Sequence, residues 1–397
     1  MELTKRIIEV PASPTLSLDA KAKALKARGV DVISFGAGEP DFDTPWHIKQ
    51  AGIKAIEENF TRYTPVEGIP ALKEAIAAKF RRDNGLDYTL EEIAVSCGGK
   101  HTLYNLAQVL FDHGDEVIVP SPYWVSYPPI VQLSGAKPVI VKTREANGFK
   151  LTAEELEAAI SPRTKGLILN SPSNPTGATY TRAELEALAE VVLRRNLMVI
   201  SDDIYEKIIY DGLRFCNLAG LGPELKKRTI IAHGLAKTYA MTGWRIGYMA
   251  GPQEVAKALT VLQSQSTSNP CSVAQKAGVA ALNGPQDSIG VMVQAFDERR
   301  RYLVETLNGL EGVSCFNPSG AFYVFPNVSA HYGKRADDRE ITGSNDLCDY
   351  LLEEARIAVV PGAAFGEDAC VRLSYAISLE ENKRGLERLA GALAKLK

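Results

Sequence analysis

The chain has 397 residues, 45% hydrophobic and 23% charged, with a formal net charge of −3 at pH 7. This is a globular composition with enough apolar residues for a large core and two domains, and it offers neither a basic face for nucleic acid nor a polybasic patch for a membrane. The longest uncharged run, 117–136, contains four prolines and several polar residues, which excludes a membrane span there.

The first six residues lack the apolar region of a signal peptide. Six scattered cysteines and five isolated histidines show no metal-ligand spacing, so the expectation is a cytoplasmic protein with reduced thiols and no metal site. From about residue 90, short apolar runs alternate with helical patterns, the signature of an α/β fold with a mostly parallel sheet. The runs predict strands over 116–119, 138–141, 166–169, 198–201, 229–232 and 246–250. Helices start at Thr152 with Glu155, Thr181 with Glu184 and Ser378 with Glu381, each a capping box. The last of these helices places Leu386, Leu389, Leu393 and Leu396 along one face. Past residue 290 a charged helix around Arg299 to Arg301 leads to the apolar run 321–325, which reads as a smaller α+β domain.

In open α/β sheets, ligand-binding residues gather at the carboxyl ends of the strands. Lys237 follows the run 229–232, and Arg245 comes eight residues later in a glycine-containing turn. A lysine can hold an aldehyde cofactor as a Schiff base while an arginine clamps its phosphate bidentately. The plainer alternative is a solvated surface pair. Asp202, after the run 198–201, can keep a pyridine nitrogen protonated, or simply cap the following turn. Asp203 competes for that role and is expected to face solvent. Tyr205 lies on the same side of the turn, ready to donate to a ring hydroxyl.

The segment 170–177 is a Pro/Gly turn that aims the Asn174 amide into such a site, with a cis bond expected before Pro175. Gly98 and Gly99 open a helix whose free N–H groups suit a phosphate. Lys100 opposes that helix dipole, which makes sense beside an anion. Trp124 can stack on a flat ring or pack in the core.

Together these motifs resemble those of fold-type I pyridoxal-phosphate aminotransferases of class I, in the bacterial aspartate aminotransferase subgroup. The resemblance runs from about Ser13 to the last helix. It includes the segment 37–42, Tyr63-Thr64-Pro65, 68–72, the Gly-Gly-Lys turn, Pro122-Tyr123-Trp124, Asn174 to Gly177, 201–205, the Lys237 segment and 371–375. It implies a large pyridoxal-phosphate-binding domain over 45–290 and a small domain of 1–44 plus 291–397.

It also implies the cofactor pyridoxal 5′-phosphate, with Lys237 as Schiff-base lysine and proton carrier. Asp202 would sit at the ring nitrogen, Tyr205 and Asn174 at the phenolic oxygen, and Trp124 against the ring. Gly99, Lys100 and Arg245 would hold the phosphate, and Tyr63 would reach in from the second subunit of a homodimer with shared active sites. Arg372, Asn174 and Gly38 would grip the substrate α-carboxylate, although Arg372 by itself reads as a surface salt bridge. Lys100 and Thr15, with Ser13 nearby, would read a distal carboxylate, and Trp124 would also contact the substrate. The implied reaction is ping-pong transfer from aspartate to 2-oxoglutarate, with prephenate as a further dicarboxylate.

A β-lyase or a broad-specificity aminotransferase is the competing enzyme reading. An effector-binding module is the non-enzyme one, disfavoured by the intact Lys237, Asp202 and Arg372. The chain departs from many relatives in having Gly234 where they carry a serine, and Ala236 before the lysine. One phosphate donor is therefore expected to be missing.

Overall fold

The computed structural model describes residues 4–8, 10, 14–337 and 339–397. Its centre is a seven-stranded sheet in the order Ile93–Ser96, Gly247–Ala250, Thr229–Gly234, Met198–Asp202, Thr164–Asn170, Glu116–Ser121 and Lys137–Lys142. Only Gly247–Ala250 runs antiparallel to its neighbours. Helices cover both faces, so the inner strands are buried on both sides and read as continuous apolar runs rather than alternating ones. Every residue of Thr229–Gly234 is buried.

All six predicted strands are present, most of them one or two residues longer than their apolar runs. The extra residues, such as Asn170 and Asp202, are polar and pair in register at the ligand-bearing edge. Ile93–Ser96 has no counterpart among the predicted strands. The three capping boxes form as predicted, with Thr152, Thr181 and Ser378 each accepting from the backbone of the glutamate three residues on. Among the described residues no helix is long and apolar enough to cross a membrane.

The N-terminal segment packs with the C-terminal part of the chain. Ile33–Ser34 pairs in parallel with Ile357–Ala358, and Phe35 joins a core with Phe296, Phe322, Leu386 and Leu389. Arg299 ties the two together through Asp41 at 2.7 Å. A three-stranded antiparallel sheet of Val360–Pro361, Val371–Ser374 and Tyr323–Val324 carries Arg372 toward the large sheet.

Candidate active site

The carboxyl ends of the parallel strands open into a cavity of about 340 Å³. Of the residues singled out in the sequence, Gly38, Gly99, Lys100, Trp124, Asn174, Asp202, Tyr205, Lys237, Arg245 and Arg372 all line it. Three do not belong to this set. Tyr63 is 90% exposed and lies outside the cavity of its own chain. Ser13 lies outside the described residues, as does the side chain of Thr15.

Asp202 ends its strand pointing into the cavity. It accepts from the Tyr127 hydroxyl at 2.7 Å and from the Ile204 amide at 3.3 Å. Burial raises its pKa to about 6, and the Tyr127 bond works against that rise. The turn after the neighbouring strand is fixed by Asn170, whose side chain donates to the Asp202 carbonyl and accepts from the Asn174 amide, both at 2.9 Å. The Asn174–Pro175 bond is cis, as expected.

Arg372 is 3% exposed. Its guanidinium donates to the Asn174 side-chain oxygen at 3.0 Å and to the Gly36 carbonyl at 2.8 Å, and it lies over the Tyr323 ring at 4.6 Å. Its Nε has no partner, and no carboxylate pairs with it among the described residues. The surface salt bridge that the sequence alone suggested is therefore not what forms. A buried cation satisfied only by neutral oxygens has charge left to offer an anion.

Lys237 projects from the loop after Thr229–Gly234, and its amine bonds the Gly38 carbonyl. Burial lowers its pKa to about 8, with Glu39 the largest opposing charge. On the far side, Gly98 has φ 96°, and a β-carbon there would come within 2.3 Å of the Arg245 guanidinium. The guanidinium is thus seated against the glycine turn that opens helix Gly99–Leu110, where helix N–H groups and a fixed cation converge. Lys100 lies over the Trp124 ring at 4.9 Å.

The class I and II aminotransferase family model matches residues 30–389. The chain belongs to that family. It is 52% identical over 392 residues to the aspartate aminotransferase of Geobacillus stearothermophilus, covering 98% of each chain. It is 50% identical over 396 residues to a probable aspartate/prephenate aminotransferase of Rickettsia bellii, covering 98% of this chain and 99% of the relative. The crystal structure of the Rhizobium meliloti aspartate aminotransferase superposes with a TM-score of 0.96 at 49% identity, covering all of both chains.

Within this aminotransferase one sequence expectation is corrected. Asp203 does not face solvent: it is 1% exposed, accepts from Ser201 Oγ at 2.7 Å and bonds the Asn217 amide. Adjacent residues leaving a strand point to opposite sides, and the side away from the cavity is covered here by the loop that carries Asn217.

Gly234 also gains a physical reason. A β-carbon there would meet the Ile246 carbonyl at 2.9 Å and the Gly247 Cα at 3.2 Å, so a serine would push two paired strands apart. Sequence reasoning missed Tyr127, the partner of Asp202, and Tyr323, whose hydroxyl bonds that of Tyr205 at 2.8 Å. The only signal for Tyr127 was its position three residues after Trp124. Tyr323 had none beyond its place in an apolar run.

Proposed function

We propose that this aminotransferase uses pyridoxal 5′-phosphate to move the amino group of L-aspartate to 2-oxoglutarate, giving oxaloacetate and L-glutamate in two ping-pong half-reactions. The observation that carries the reading is Arg372, a buried guanidinium with no carboxylate partner among the described residues, facing the same cavity as Lys237. The names of the relatives support aspartate as amino donor, and one of them supports prephenate as a further acceptor of the same dicarboxylate class.

The residues fit the cofactor. Gly99, Lys100 and Arg245 would hold its phosphate, Asp202 its ring nitrogen, Tyr205 and Asn174 its phenolic oxygen, and Trp124 its ring face. When bound, the cofactor supplies an electrophilic carbonyl and a ring that withdraws electrons from the substrate Cα. The chain does the rest. Arg372 and Asn174, beside the Gly38 backbone, orient the α-carboxylate, and Lys100 takes the distal one together with Thr15 and Ser13. Lys237 would take the proton from the substrate Cα and hold it for redelivery, work suited to an amine with a pKa of about 8.

We further propose a cytoplasmic homodimer in which Tyr63 completes the partner's site, with a large domain over 45–290 and a small one of 1–44 plus 291–397. Supporting the dimer, Tyr63, Trp46, Ile53 and Ile56 are all exposed. All six cysteines are unpaired, which suits a reducing compartment.

The test is the absorption spectrum of the purified protein with cofactor. Aspartate and glutamate convert the visible band to a near-ultraviolet one, phenylalanine does so far less, and prephenate added to the converted enzyme restores the band. Absence of a visible band overturns the assignment of Lys237. Bleaching by cysteine alone, with release of pyruvate, moves the enzyme to the lyases.

Arg372→Ala is expected to lower kcat/KM for aspartate by about 10²–10³-fold, because truncating one partner of a buried charged pair costs about 2–5 kcal/mol. Steady-state kinetics with the visible band intact checks that the loss lies in substrate binding.

A further inference from the structure

Resting on the proposed dicarboxylate reading, we propose that Glu39 is a specificity-determining residue, a resident negative charge on the lip of the cavity that weakens the hold on dianions. Two carboxylates line the cavity. Asp202 is buried and bonded to Tyr127. Glu39 is exposed and is held in place by the Thr242 hydroxyl, which donates to it at 2.7 Å.

That bond joins the N-terminal segment to the loop carrying Lys237 and Arg245. The amine of Lys237 reaches the Gly38 carbonyl, one residue before Glu39, and the Thr44 hydroxyl donates to the Ala240 carbonyl at 2.7 Å. Glu39 is therefore held at the mouth by one hydrogen bond from Thr242. The other charged groups facing Lys237 are Arg372 from the C-terminal strand, Arg245 from its own loop and Asp202 from the neighbouring strand. Lys100 lines the same space from its helix.

A site meant only to maximise dianion affinity would place no carboxylate there. A fixed Glu39 opposes a ligand with two negative charges about twice as strongly as a ligand with one. It thereby limits how long a dicarboxylate product remains bound, and it favours the protonated form of the Lys237 nitrogen.

Glu39→Gln tests this, because glutamine keeps the length and still accepts from Thr242. Succinate and butanoate, an unreactive dicarboxylate and monocarboxylate, are titrated into the cofactor-loaded enzyme by calorimetry. In the variant, succinate is expected to bind about three- to tenfold tighter and butanoate to change by less, with the difference shrinking at high salt. The pH midpoint of the visible band is expected to fall.

Thr242→Val removes the tether and keeps the charge, so its succinate-to-butanoate ratio lies between those of wild type and Glu39→Gln. An unchanged ratio in Glu39→Gln, or equal weakening of both ligands in both variants, overturns the inference and leaves Glu39 as a docking contact. Failure of the underlying reading is distinct: it appears in the wild type itself, as no visible band or as a band that aspartate and glutamate do not convert.

Discussion

Lys237→Ala is expected to fold normally and to lose at least about 10³-fold in turnover, within the range that a positioned proton-transfer group supplies. Among the described residues the amine bonds a backbone carbonyl and forms no salt bridge, so its removal breaks no ion pair. Stability is therefore retained, and thermal unfolding checks it. The spectrum of the cofactor-loaded variant lacks the visible band that wild type shows.

The pH dependence follows from the direction of the shift. Burial lowers the Lys237 pKa to about 8, and only the neutral amine attacks an aldehyde. The rate at which cofactor-free protein captures pyridoxal phosphate is expected to rise with pH and level off above about 8. A flat profile from pH 6 to 9 would contradict that assignment.

Lys79→Met is expected to destabilise the fold by about 3–5 kcal/mol, the usual cost of breaking a buried ion pair from one side. Lys79 comes from helix Pro70–Asn84, and its amine lies 2.5 Å from Glu206, with side chains only 3% and 2% exposed. Asn84 donates to the same carboxylate at 2.9 Å, and His233 Nε2 stands 3.5 Å away. Glu206 follows Tyr205, and His233 stacks on Tyr248 four residues before Lys237, so the cluster underlies the cavity.

Without Lys79 the buried Glu206 charge loses its cation and keeps only the Asn84 amide and His233 beside it. The double variant Lys79→Met with Glu206→Gln is expected to recover most of the loss, and denaturant midpoints distinguish the two. Glu206 is held well below the usual carboxylate range by Lys79 and His233. Its stabilisation is therefore fully present above the unfolded carboxylate value and disappears only as pH falls toward the folded one. Acidification from pH 7 to 5 leaves this pair intact.

Much of the protein could be read from its residues because the informative features are local. Continuous apolar runs signal strands buried on both faces, and capping boxes mark helix starts. Lys237, Asp202 and Asn174 announce themselves by standing at or after strand ends, and Arg245 by its glycine-containing turn eight residues past Lys237. The strand Ile93–Ser96 was passed over because four residues carry too little pattern, and its identity comes from pairing with Gly247–Ala250, over 150 residues away.

Asp202 and Asp203 show the limit more sharply. Chain geometry places them on opposite sides, but nothing local says that Asn217, from a distant segment, covers the side facing away from the cavity. Tyr127, Tyr323 and Glu39 acquire roles only through partners 75, 118 and 203 residues distant. The sequence by itself determined six of the seven sheet strands, three helix starts and the chemistry of the strand-end residues, since short-range propensity and side-chain type suffice for those. The tertiary structure alone decided which polar groups are desolvated and what they face, because burial and electrostatic partnership depend on segments remote in the chain.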